Sequence, residues 1–201
     1  GSVNDPILEA ARLEVAYFAV ALEILVPTNN QVNKNETTGL KDFNKFNEME
    51  ADSFSFSLPS YLEDDVLREV ENIRAAKGEM KSPVLLYPKN YDDFVVPADY
   101  KYNAKLNNFY LAMKWMNSNF PLYYKTEDCP DCLLDKNDWL VNLIAANFIT
   151  KDLYDNQDTR NQWAVVYKFI SFFSGLRSEL TYLHYNDVMV DLFGEDYSIE
   201  N

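Results

Sequence analysis

Cys129-Pro130-Asp131-Cys132 is the sharpest chemical spacing in the chain. Such a pair is redox-active when its first thiolate sits at a helix N-terminus, where the thiol pKa falls. Here Thr126-Glu127-Asp128 precede it with no strand pattern, and the flanking Asp128 and Asp131 favour the neutral thiol. Zinc takes four ligands, so a metal here would have to be shared across a dimer. A disulfide between Cys129 and Cys132, or a reduced pair held in a loop, fits the surroundings best. Shared metal and redox chemistry are the other uses.

Neighbouring carboxylates are the second class. Asp64-Asp65 and Asp92-Asp93 could split their pKa values and serve as acid and base. Adjacent residues of a helix face different ways, so Asp64-Asp65 reads as first-turn charge complementing the dipole. Asp92-Asp93 falls in an irregular stretch and is the better candidate, although a solvated loop or cap is the commoner use of such a pair. Asp152, Asp155, Asn156 and Asp158 crowd one helix connection, but the sharp-turn glycine of a calcium loop is absent. Asp158 reads instead as a helix cap. The single histidine, His184, lacks a sequence partner for a triad and reads as structural. Tyr87, Tyr91, Phe94, Tyr100, Tyr102 and Trp115 lie among acids. They could line a groove where rings stack on a glycan or peptide while Asp side chains take hydroxyls or amides. Their competing use is cementing the loop to helices. The candidate ligand contacts are Tyr91, Asp92, Asp93, Asp99, Tyr100 and Trp115. No catalytic residue, metal ligand or cofactor is assigned.

These residues must be positioned by a chain of 201 residues, of which 47% are hydrophobic and 15% aromatic. That is too apolar for disorder and long enough for a core without staples. Lys plus Arg number 18 against 32 Asp plus Glu, a net charge of −14. The excess excludes a nucleic-acid binder, which needs cations for phosphates, and argues against docking on an anionic membrane. The longest apolar run, residues 15–26, is too short to cross a bilayer and contains Glu23, so no transmembrane segment is expected. Gly1-Ser2 reads as the remnant of a cleaved tag. Asn35-Glu36-Thr37 fits a glycosylation acceptor, a match common by chance.

Helical spacing dominates. Asp5 and Pro6 open a first helix through Ile7, Leu8, Ala11, Val15, Phe18, Leu22 and Leu25, with Glu9, Arg12, Ala16, Ala19 and Glu23 as its thin polar or small stripe. Pro27 ends it, and residues 28–38 read as an exposed loop. Leu40, Phe43 and Phe46 suggest a short helix over 40–50. Ser60 and Glu63 form a capping-box pattern before Leu62, Val66, Val70 and Ile73, predicting a helix over 60–77 that Gly78 stops. Residues 79–102, with Pro83, Pro88 and Pro97, read as a long irregular Tyr/Asp/Pro-rich loop, the first place to look for a site. Helices follow over 103–118 (Leu106, Phe109, Tyr110, Met113, Met116), 136–152, 158–174 and 186–193. No run alternates long enough for a sheet. The expectation is all-α: a single domain of about six helices over 3–201.

Several of these segments resemble one uncharacterised prokaryotic family, domain of unknown function 3160. They are the Ala11–Leu22 helix, Glu71–Gly78 with Ser82-Pro83, Asn90–Phe94 with Pro97 and Tyr100, Phe109–Met116, Phe172–Thr181 and the Asp187–Gly194 segment. One departure is clear. Relatives commonly carry an Arg-Gly-His-Tyr type run after the Tyr-Phe motif, where this chain reads Pro97-Ala98-Asp99-Tyr100. If that run holds an anion or metal in relatives, this chain has lost or changed it. The resemblance implies the N-terminal helical portion of a longer, often exported and sometimes lipid-anchored protein, and it implies no activity. The expected function is a non-catalytic interaction or scaffolding module outside the cytoplasm, with a protein partner or the remaining domains of the same chain as its contact. The alternatives are a glycan- or peptide-binding module using the aromatic and acidic loop, or part of an acid-type hydrolase completed by missing domains.

Overall fold

The computed structural model describes residues 5–33, 42–175, 181–195 and 197. Among them the architecture is almost wholly helical: α1 (Pro6–Leu25), α2 (Glu48–Ser53), α3 (Glu63–Ala75), α4 (Ala98–Lys101), α5 (Ala104–Met116), α6 (Lys136–Asp155), α7 (Gln157–Ser174) and α8 (Tyr182–Phe193). The exception is an antiparallel hairpin, β1 (Glu79–Lys81) with β2 (Pro88–Asn90), in which Met80 faces Lys89. The chain divides into two compact units, residues 15–139 and residues 1–14 with 140–201.

In the 15–139 unit, α3 buries Val66, Glu69, Val70 and Ile73 on one face. The hairpin and a single 3-10 turn, Tyr91–Phe94, follow α3 in the chain, and the turn packs against it. The 79–102 stretch is therefore ordered by its own short elements. Each strand has only three residues, below the length at which alternation is visible in a sequence. The hairpin loop is fixed by the Ser82 backbone and side chain: Ser82 N–H donates to Tyr87 O, Leu86 N–H to Ser82 O, and Leu85 N–H to Ser82 Oγ. Leu86 is held at φ 71°, a strained conformation for a branched side chain.

Other helix ends differ in detail from the sequence reading. Asp5 caps α1 as expected, its carboxylate accepting from Ile7 N–H at 3.0 Å. The Ser60–Glu63 box does not form, because residues 59–62 make backbone turns and Leu62 takes the cap position. The helix stops at Ala76 (φ 48°), two residues before Gly78. Asn156, not Asp158, caps α7, accepting from Thr159 N–H. The short helix expected over 40–50 lies instead at Glu48–Ser53, capped by Asn47 and Glu50; Phe43 and Phe46 precede it, and Leu40 lies outside the described residues. Asn35-Glu36-Thr37 also lies outside them.

In the other unit, α7 and α8 meet through aromatic rings. Trp163 stacks on Tyr167 at 4.8 Å and meets Tyr182 edge-on at 5.0 Å. Tyr197 OH donates to the buried Asn186, and the Lys151 ammonium lies 4.8 Å from the Tyr197 ring. No helix among the described residues is long and apolar enough to cross a membrane.

Candidate functional site

The six candidate ligand contacts separate into enclosed and open groups. Tyr91 and Trp115 are fully buried. Tyr91 OH donates to Glu69 Oε1 at 2.6 Å, and its ring stacks on Phe94. Trp115 Nε1–H donates to Tyr17 O at 2.8 Å, while Tyr17 OH donates to Met116 O at 2.7 Å. These two bonds clasp α1 to α5. Burial and these bonds give both rings a structural role. Tyr87 and Phe94 are buried as well, so the aromatic loop mostly cements itself to the helices.

Asp92, Asp93, Asp99 and Tyr100 remain exposed. Asp92 serves the local structure, since its Oδ1 accepts Gly78 N–H at 2.9 Å and so ties the 3-10 turn to the start of β1. Asp99 sits in the first turn of α4, and Tyr100 packs on Tyr110 at 5.5 Å. Cys129 and Cys132 are joined by a disulfide. His184 completes a capping box at the start of α8, its Nδ1 accepting Thr181 N–H at 3.0 Å. Asp155 pairs with Lys151, one turn earlier in α6. No group of three or more His, Cys, Asp or Glu among the described residues is placed to hold a metal ion.

Two features carry chemistry that the sequence reading missed. The first is Glu69, fully buried on α3. Its carboxylate accepts from Ser82 Oγ at 2.5 Å and Tyr91 OH at 2.6 Å, and more weakly from Val84 N–H at 3.4 Å. Burial raises its pKa above the ordinary carboxylate value, against the lowering pull of Ser82, Tyr91, Val84 and Lys89. Lys89 stands close by, its ammonium 5.4 Å from the Phe94 and Trp115 rings and donating to Ser118 Oγ at 2.8 Å. Burial lowers its pKa in turn. The sequence signal for Glu69 was available: it falls on the same helical face as Val66, Val70 and Ile73.

The second is a cleft of about 430 Å³ beside the end of α3. Its polar wall is Gln31, Arg74, Lys101, Asn107 and Asn108, and its apolar wall includes Phe94, Val95, Val96 and Leu111. None of Asp92, Asp93 and Asp99 lines it, and no carboxylate does. Gln31 and the buried Asn108 exchange amide hydrogen bonds at 2.8 and 3.2 Å, fixing one side of the opening. The apolar side of this cleft comes partly from α5, whose inward face is Asn108, Leu111, Ala112 and Trp115. The expected face, Leu106, Phe109, Met113 and Met116, points outward instead. A similar inversion holds on α1, where Ala16 and Ala19 are buried and Ile7, Leu8, Val15 and Leu22 are exposed.

The family model for proteins of unknown function DUF3160 matches residues 2–200. The chain belongs to this family. No curated protein and no solved structure matches it. As a DUF3160 protein the chain thus carries a family assignment that names no reaction, and its geometry has to supply the functional reading.

One further titrating group lies in the other unit. Glu14, near the middle of α1, has Oε1 buried without a hydrogen-bond partner. Desolvation first, and the charge of Asp152 second, push its pKa from 4.5 up to about 7. A raised carboxyl stabilises the fold most below about pH 4.5, and that contribution is lost as pH rises through about 7. Glu14→Gln is expected to leave stability near wild type at about pH 4 and to raise it by about 1–2 kcal/mol at about pH 8, after allowing for solvent screening at this half-buried site. Urea unfolding at the two pH values measures it; an equal effect at both would contradict the burial argument.

Proposed function

We propose that this DUF3160 chain is a non-catalytic interaction module whose contact surface includes the outer face of α5. One observation carries the reading. Leu106, Phe109, Met113 and Met116 recur at helical spacing along that face, and each is between 37% and 54% exposed. An apolar stripe of this kind, rimmed by polar residues, marks a protein contact. Its two methionines give it the adaptable packing used by surfaces that take amphipathic segments. The partner is accordingly a polypeptide presenting an apolar helix or strand face, from another chain or from further domains of the same one. Exposed Val165 and Val166 on α7 and Val188 and Leu192 on α8 offer more surface of the same character.

An exported, extracytoplasmic setting, with lipid anchorage, accompanies this reading. The Cys129–Cys132 bridge supports the setting, because disulfides persist in oxidising compartments and are rare in reducing ones. Thiol alkylation of the protein in intact cells tests it: a blocked pair supports export, and two reactive thiols refute it.

The interaction itself is tested by placing a photo-cross-linker at position 109 in the full protein in its host cell, with position 71 on the polar side of α3 as control. A discrete polypeptide adduct at 109, weakened by Met113→Lys, is expected. The same diffuse set of adducts at both positions would sink the proposal.

A further inference from the structure

The cleft beside α3 holds a cation with no counter-charge, and we infer that it binds a small organic oxyanion: an apolar body bearing one carboxylate or phosphate group. Arg74 is the central residue. Its Nη2 donates to the carbonyls of Glu23, Ile24 and Val26 at 3.5, 3.3 and 3.2 Å, where α1 ends. Its Nε is buried and has no hydrogen-bond partner. The guanidinium forms no ion pair among the described residues, and Glu23, whose charge acts on it, does so from beyond salt-bridge distance. The guanidinium is half-buried, and a partly desolvated charge with no opposite charge beside it carries a cost that usually has an explanation in native proteins.

The rest of the cleft fits an anion as that explanation. Lys101 adds a second positive charge at the opening and likewise has no ion pair among the described residues. Asn107 adds an amide donor. No carboxylate lines the cleft, although the chain carries a net charge of −14 and 32 acidic residues, so nothing in the wall repels an anion. A planar guanidinium fork suits carboxylate and phosphate alike. The remaining wall is apolar, through Phe94, Val95 and Leu111, so a bare inorganic ion would leave half the cleft unused. A volume of about 430 Å³ lies at the lower end of ligand cavities and suits a small molecule, not a polymer. The competing account is that Arg74 merely caps α1 and water fills the space. The two accounts part at Lys101: capping of α1 by Arg74 gives this cleft-lining lysine no role, whereas an anion in the cleft gives it one. The inference concerns residues apart from the outer face of α5 and stands whether or not that face binds a partner.

Amide spectra of the isotope-labelled full chain, titrated separately with benzoate, phenyl phosphate, benzyl alcohol and inorganic phosphate, test it. Saturable shifts at the amides of residues 94–96 and 107–111 are expected with benzoate or phenyl phosphate, and the tighter of the two identifies the headgroup. Lys101→Glu is expected to weaken that binding at least about tenfold with an unchanged unfolding midpoint, since Lys101 is exposed. Arg74→Gln should abolish it. No shifts with either oxyanion would overturn the inference. So would benzyl alcohol binding as tightly as benzoate, inorganic phosphate binding as tightly as phenyl phosphate, or wild-type affinity in Lys101→Glu.

Discussion

Glu69→Ala is expected to destabilise the protein by about 4 kcal/mol. The carboxylate is fully enclosed and accepts both the Ser82 and Tyr91 hydroxyls. Truncation to Ala leaves two buried hydroxyls without acceptors, each costing about 1–3 kcal/mol, and adds a cavity where the side chain stood. Ser82 also receives Leu85 N–H, so its reorientation loosens the loop that holds Leu86 at positive φ. Glu69→Gln keeps an acceptor oxygen in the same volume and should cost only about 1–2 kcal/mol. The unfolding free energy from urea titration, with the slope unchanged, reads both. Equal losses for Ala and Gln would show that packing, not the paired hydroxyls, is what Glu69 supplies.

The same residue fixes a pH dependence. The folded-state pKa of Glu69 lies above its ordinary value of 4.5 because burial penalises the charge more than its hydrogen bonds favour it. The carboxyl therefore contributes most below about pH 4.5, and its contribution declines as pH rises through the raised folded value. Glu69→Gln removes that titration, so the gap between wild type and Gln should narrow as pH rises. The gap would widen instead if Ser82, Tyr91 and Lys89 outweighed desolvation and held the pKa down.

The helical class and most helix positions were legible because they rest on local spacing: Asp5 before Pro6 and the Val66–Val70–Ile73 stripe act within a few residues. The inward face of α5 was not legible. Bulk alone selects Leu106, Phe109, Met113 and Met116, yet Asn108 and Trp115 face inward because each has a hydrogen-bond partner far away in the chain. Asn108 pairs with Gln31, 77 positions distant, and Trp115 donates to Tyr17, 98 positions distant. An Asn on a helix looks polar until its partner is known, and no periodicity encodes that partner. The cleft was hidden for the same reason: Gln31, Arg74, Lys101 and Asn107 converge only after folding. Asp92 and Asp93 attracted notice by adjacency, which places two charges close in the chain without giving them a shared cavity.

Trp115 decides between the two roles its sequence position suggested. As a core residue it should cost about 3–5 kcal/mol when replaced by Ala, the range for deleting a buried aromatic ring. The loss would exceed simple cavity formation, because the Lys89 ammonium lies 5.4 Å from the ring and would surrender one of its aromatic neighbours while staying half-buried. Trp115→Phe retains most of the ring volume and forfeits the hydrogen bond to Tyr17 O, whose carbonyl lies within α1. It should cost about 1–2 kcal/mol and leave Lys89 covered. Tyr17→Phe removes the reciprocal bond to Met116 O and should cost a similar amount. Because the two bonds close one clasp between α1 and α5, the double variant is expected to lose less than the sum of the singles, and the deficit measures their coupling. Benzoate and phenyl phosphate titrations of Trp115→Phe complete the test. Unaltered affinity accords with a ring that supports α5 from within, whereas a large loss of affinity at nearly unchanged stability would return Trp115 to the ligand.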